Sequence, residues 1–159
     1  MTPDTALQYA PLFETMVASF EGLSLRMDVE RATRSAHFTI TNDTVTVRVV
    51  ARTFEEMEIA QVWAALGVVI PADRRPLVSE LLHRINDTLA VGNFEFDVDK
   101  GVVRYKSTLV AHGATVSVDS FERILRIAVL MAEKYAPAVL SVAFGDSEPA
   151  AALACAQLT

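Results

Sequence analysis

The chain is short of almost everything that advertises chemistry. It has one cysteine, Cys155, so no intramolecular disulfide can form and a reducing cytoplasm is its simplest home. Its glycines, at 22, 67, 92, 101, 113 and 145, make neither GxGxxG nor a phosphate-binding loop, and there is no GxSxG elbow. The common dinucleotide, nucleotide and serine-hydrolase signatures are therefore excluded. Positive charge is scarce as well: 14 Lys and Arg stand against 20 Asp and Glu, for a net charge of −6. A nucleic-acid binder usually needs a basic face, and Arg74-Arg75 and Arg31/Arg34 are too small to make one. No long apolar run stands out either. Val62 to Ile70, broken by Gly67, falls far short of the roughly 20 residues of a membrane span. Met1-Thr2-Pro3-Asp4 lacks the basic and apolar regions of a signal peptide.

What is present describes a folded chain. The 159 residues are 52% apolar and 21% charged, enough for one domain over residues 1–159 with a substantial core. Pro11 opens a helix whose stripe is Leu12, Phe13, Met16, Val17 and Phe20, closing at Glu21-Gly22. Thr5 to Ala10 can add an earlier turn. Three segments then alternate with a period of two: Leu25 to Glu30, Ala36 to Thr41, and Thr44 to Ala51. Asn42-Asp43 fits a two-residue turn, which would pair Ile40 with Val45 and Phe38 with Val47. Thr53 to Leu66 is ambiguous. Thr53-Phe54-Glu55-Glu56 has the form of a capping box, while Ile59 to Trp63 fits a strand.

A second helix is expected from Asp73, as cap, to about Leu89, with Leu77, Val78, Leu81, Leu82, Ile85 and Leu89 inward. A hairpin follows, with Val98 to Gly101 as its loop. It pairs Phe96 with Val103, Phe94 with Tyr105, Glu95 with Arg104 and Asn93 with Lys106. A third helix, capped by Ser117, runs from Val118 to Tyr135 and buries Phe121, Ile124, Leu125, Ala128, Leu130 and Met131. Pro137 interrupts it. Val139 to Phe144 fits a short continuation, and Ser147 caps a last helix, Ala150 to Leu158.

Three blocks carry a resemblance: Val69 to Arg75 leading into the second helix, with Ile85-Asn86 late in it; the hairpin, Val91 to Asp97 and Gly101 to Ser107; and Lys134 to Val139 with Ser147 to Ala152. In order and spacing they resemble the YbjN-like family of bacterial proteins. The resemblance implies an α+β fold like that of type III secretion chaperones, an antiparallel sheet of about five to six strands packed on helices. It also favours a strand over Met57 to Leu66, and strand is the expectation here. Members are described as sensory-transduction regulators, and the family brings no agreed catalytic residues. Chaperones of this fold are typically dimers that bind extended peptide segments, an analogy at the level of the fold.

Candidate chemistry is thin. Glu80 and His83 form a Glu-x-x-His on one helix face, but di-iron sites need a second copy and further carboxylates. Glu95, Asp97 and Asp99 crowd one hairpin, where Arg104 and turn geometry explain them. His37, His83 and His112 sit on separate elements without ligand spacing. Cys155 has no basic neighbour in sequence and reads as a small apolar residue. Trp63 and Tyr105 suit core packing or, alternatively, a ligand patch. No catalytic, cofactor-binding or metal residue follows, and no cofactor.

The expected function is a non-enzymatic protein- or peptide-interaction module with a regulatory role, cytoplasmic and homodimeric, binding neither nucleic acid nor membrane. The alternatives are a small-ligand sensor with a pocket between sheet and helices, and an enzyme using acidic residues.

Overall fold

In a computed structural model of the protein, residues 11–158 are described. The elements run α1 (Pro11–Gly22), β1 (Asp28–Glu30), β2 (Ser35–Thr41), β3 (Thr46–Phe54), β4 (Ile59–Leu66), α2 (Arg75–Asn86), β5 (Asn93–Asp97), β6 (Val102–Val110), α3 (Val118–Phe144) and α4 (Pro149–Gln157). The possible turn at Thr5 to Ala10 lies outside the described residues. The six strands form one antiparallel sheet in the order β1-β2-β3-β4-β6-β5. This is the expected α+β architecture.

Period-two alternation sorts the sheet into two faces. Ala36, Phe38, Val47, Val49, Ala51, Ala60, Val62, Ala64, Phe94, Val103 and Tyr105 point inward and are buried. α3 lies across β4 and β6, α2 packs beside β5, and α4 packs on α2 and α3. On the other face, Arg48, Val50, Arg52, Gln61, Trp63, Arg104 and Lys106 are half-buried or exposed, and no helix among the described residues covers them.

The ambiguous segment is a strand, and its capping-box look has a tertiary explanation. Thr53 and Phe54 continue β3, pairing with Ala60 and Ile59. Glu55–Met57 is a single 3-10 turn, and Glu58 reverses the chain at φ +53. The Glu55 carboxylate accepts the backbone N–H groups of Leu12 (3.3 Å) and Phe13 (2.8 Å). It therefore satisfies free donors in the first turn of α1 rather than opening a helix of its own.

Several local expectations change. The first strand holds only Asp28–Glu30, with Leu25 and Met27 half-buried ahead of it. In the β2–β3 hairpin Ile40 pairs with Val47 and Phe38 with Val49. The Asn42 side-chain oxygen accepts from the N–H groups of Thr44 and Val45, both at 2.9 Å, which moves the turn one residue along. Neither Asn42 nor Asp43 has positive φ. Each partner slips by two residues, so every side chain keeps its face. α2 begins at Arg75 after a 3-10 turn, Ala72–Arg74, with no cap bond from Asp73, and it ends at Asn86 rather than Leu89.

α3 does not stop at Pro137 but continues to Phe144. A proline inside a helix costs about 3 kcal/mol. Beyond it, Ala138, Val139, Val142 and Ala143 are buried, and that burial offsets the cost. Leu130, expected inside, is 49% exposed. Ser117 stands at the start of α3 without a side-chain cap bond. α4 starts at Pro149 with Glu148, not Ser147, at the cap position. α3 is long and apolar enough to cross a membrane by length and composition, a property the sequence reading passed over. Half of its most apolar window is buried within the protein, as expected of a core helix.

Candidate functional site

The residues that carry the family resemblance turn out to hold the fold together. Arg74 donates to the carbonyls of Val142 (2.7 and 2.9 Å) and Gly145 (2.7 Å), closing the C-terminal end of α3. Arg75 donates to the carbonyls of Ile70, Val98 and Asp99, pinning the β5–β6 turn to the start of α2. The Asn86 amide pairs with Phe94 as a strand would: Phe94 N–H donates to its oxygen at 2.7 Å, and its nitrogen donates to the Phe94 carbonyl at 3.0 Å. That occupies the free edge of β5 at this point. Gly92, at φ +63, lets Tyr105 pass. A Cβ there would stand 2.3 Å from the Tyr105 hydroxyl, which donates to the Val91 carbonyl. Burial, and secondarily Tyr135, pushes the Tyr105 phenol above its usual pKa of 10.0. No sequence signal separated these clamps from catalytic residues, because their partners are backbone groups remote in the chain.

The candidates weighed in the sequence do not converge. Glu80 pairs with Arg84 on the solvated side of α2, and His83 is exposed. Asp97 accepts the Lys100 N–H at 3.0 Å, which draws its carboxyl below the usual pKa of 3.8, and Asp99 is exposed. His112 is a loop residue at φ +45. Trp63 and Tyr105 lie on opposite faces of the sheet, so the patch they could have shared does not form. Among the described residues no three of His, Cys, Asp and Glu group as metal ligands would.

His37 has a partner that sequence reading missed. Its Nε2 lies 2.9 Å from the Ser35 hydroxyl, which lies 2.8 Å from that of Thr33, which donates to Glu30 at 2.7 Å. A Ser-His pair is the start of a nucleophile. Here Ser35 is only 4% exposed, and the carboxylate contacts Thr33 rather than orienting His37. The chain of bonds stitches the β1–β2 turn.

Glu95 is the hub of the open sheet face. It accepts from Arg104 Nε (2.8 Å), Lys106 Nζ (2.5 Å) and Trp63 Nε1 (3.2 Å). Burial alone would raise its pKa, but the hydrogen bonds and charges of Lys106 and Arg104 outweigh burial and hold it below 4.5.

A groove of about 680 Å³ lies between the second half of α3 and α4. Pro137, Ala138, Ala151, Ala152, Cys155 and Ala156 make it apolar, with Glu133, Lys134 and two serines bringing polar groups. Small residues on α4 keep the space open. Pro137 has no N–H to give the Glu133 carbonyl one turn back. Cys155 is exposed here.

An antiparallel sheet with helices on one face is an α+β fold of the type III secretion chaperone kind. Among solved structures, a chain of the ExsC–ExsE complex is 21% identical, covers 76% of this chain and 87% of its own, and superposes with a TM-score of 0.51. A chain of the HopA1–SchA chaperone–effector complex is 12% identical, covering 76% and 90%, with a TM-score of 0.49. No curated protein matches the sequence significantly. The YbjN family, described as "Putative bacterial sensory transduction regulator", matches residues 18–141, and the chain belongs to that family.

Proposed function

We propose that this protein is a single-domain, non-enzymatic regulatory module that binds a protein partner, seating an apolar segment of that partner between α3 and α4. The groove carries the reading: it offers apolar walls and small residues, and among the described residues no three of His, Cys, Asp and Glu group there as metal ligands would. The matched chain of similar fold comes from a complex with a partner, which supports the same kind of role here. A cytoplasmic location and a homodimer belong to the proposal. Light scattering is then expected to give about twice the 17.3 kDa chain mass.

Cys155 supplies the test, since it is the sole thiol and lies in the groove. A benzophenone maleimide attached there is expected to crosslink a discrete cellular protein on illumination. Ala151→Trp, which fills the groove from an exposed position, should abolish the adduct. A control thiol at Lys100→Cys in a Cys155→Ala background should give none. Adducts indifferent to Ala151→Trp would remove the groove from the proposal.

A further inference from the structure

The open face of the sheet departs from the charge of the rest of the molecule. On the three central strands, β3, β4 and β6, the outward positions hold four cations and no acid: Arg48, Arg52, Arg104 and Lys106. This lies on a chain of net charge −6. Register arranges them around Trp63. Trp63 pairs with Val50 on one side and Lys106 on the other. Arg48 and Arg104 flank Ala65 in the row on one side of Trp63, and Arg52 faces Gln61 in the row on the other side. With strands about 4.8 Å apart, the strip is about 10 Å wide. Acidic residues fence it on both edges, Asp28 and Glu30 on β1 and Glu95 and Asp97 on β5.

The cations retain donors. Arg48 makes no ion pair among the described residues. Arg52 rests over the Phe54 ring at 4.9 Å with its guanidinium exposed. Glu95 takes the Arg104 Nε and one Lys106 proton, which holds Arg104 beside the Trp63 ring, 6.0 Å from its centroid, and leaves the outer N–H groups of both free.

We propose that this face is a docking surface for an acidic polypeptide segment that also carries an apolar side chain. Carboxylates of the segment meet Arg48, Arg52, Arg104 and Lys106, while the apolar side chain covers Trp63 and Val50. Charge complementarity selects this occupant. A second copy laid face to face would set cations against cations. A nucleic acid running past the strip would meet the acidic fences and the net negative charge, with one central aromatic to stack on. A short acidic segment matches the strip's size, and its repulsion by distant acids is screened beyond about 8 Å at physiological salt. The surface is separate from the α3–α4 groove and stands or falls independently of it.

Trp63 is the only tryptophan, so intrinsic fluorescence reports from this face alone. Without any ligand, iodide is expected to quench it more than caesium despite the net charge of −6; the reverse order would overturn the proposal. A short peptide alternating aspartate and leucine should then shift Trp63 emission saturably, with affinity falling as salt rises. The double variant Arg48→Glu/Arg52→Glu, at two exposed positions, should weaken binding by about tenfold or more with an unchanged far-ultraviolet spectrum. Equal binding by that variant would sink the idea. So would tighter binding of a lysine–leucine peptide, of an oligo-dT strand, or of phosphatidylglycerol vesicles. If Arg48→Glu/Arg52→Glu unfolds the chain, Arg48→Gln/Arg52→Gln carries the same test.

Discussion

The two faces of the sheet are made of alternate residues of the same strands, yet they obey different rules. On the covered face Val49, Val62, Val103 and Tyr105 are each at most 1% exposed, and they meet helices whose stripes fit them. On the open face their chain neighbours Arg48, Trp63 and Arg104 keep contact with water. Burying a charge is costly, so the strands place no charged side chain on the covered face; its buried polar groups are Tyr105, with a fixed partner, and the small hydroxyls of Thr53 and Ser107. The open face carries charge at little cost. Stability therefore concentrates on one side of a single layer, and recognition is free to occupy the other.

The largest test of this contrast is Phe94→Ala. Phe94 is buried and meets Tyr105 and Tyr135 edge-on at 5.1 and 5.7 Å. Its loss should cost about 3–5 kcal/mol in chemical denaturation. Phe96, on the same face but half-buried, should cost clearly less. Equal losses would mean that burial does not set the difference.

Gly92→Ala comes next, at about 2–3 kcal/mol, because alanine there combines a left-handed φ with contacts on Tyr105 and Lys106. A melting temperature unchanged from the parent would contradict that close passage. Asn86→Ala should cost about 1–2 kcal/mol, since it removes the acceptor of the Phe94 N–H and one of the two amides that donate to the Phe94 carbonyl, Asn93 being the other. Faster hydrogen exchange at the Phe94 amide is the specific readout, and unchanged exchange would count against the edge cap.

The open face should yield smaller effects. Glu95 has a lowered carboxyl pKa, so its charge contributes stability at neutral pH that is lost as pH falls from 4.5 through the folded value. Glu95→Gln should flatten that part of the acid limb, by about 1 kcal/mol or less because Arg104 and Lys106 are partly solvated. An acid limb as steep as the parent's would assign the loss elsewhere. Arg48→Ala should change stability by no more than about 0.5 kcal/mol, and a larger loss would mean that Arg48 is part of the fold.

Much of the architecture was legible because its signals are short-range. The β5–β6 register followed from pairing Phe94 with Tyr105 and Glu95 with Arg104 across a glycine turn, and every pair stands as read. The α2 stripe of Val78, Leu81, Leu82 and Ile85 is buried as its spacing predicts. The candidate sites were harder to read. The groove depends on α4 folding back beside a helix that continues through Pro137, and local rules stop that helix early. The cationic strip depends on β4 lying between β3 and β6, which brings Arg48 and Arg104 into one row.

By itself, the sequence determined which residues alternate, which stripe faces inward, and that no standard catalytic or metal motif is present, because each of these is written within a few neighbouring positions. Only the tertiary structure decided that Glu55 caps a distant helix, that Arg74 and Arg75 bind carbonyls rather than a partner, and that α3 passes its proline. Each outcome balances a local preference of a few kcal/mol against contacts that exist only once remote segments have met.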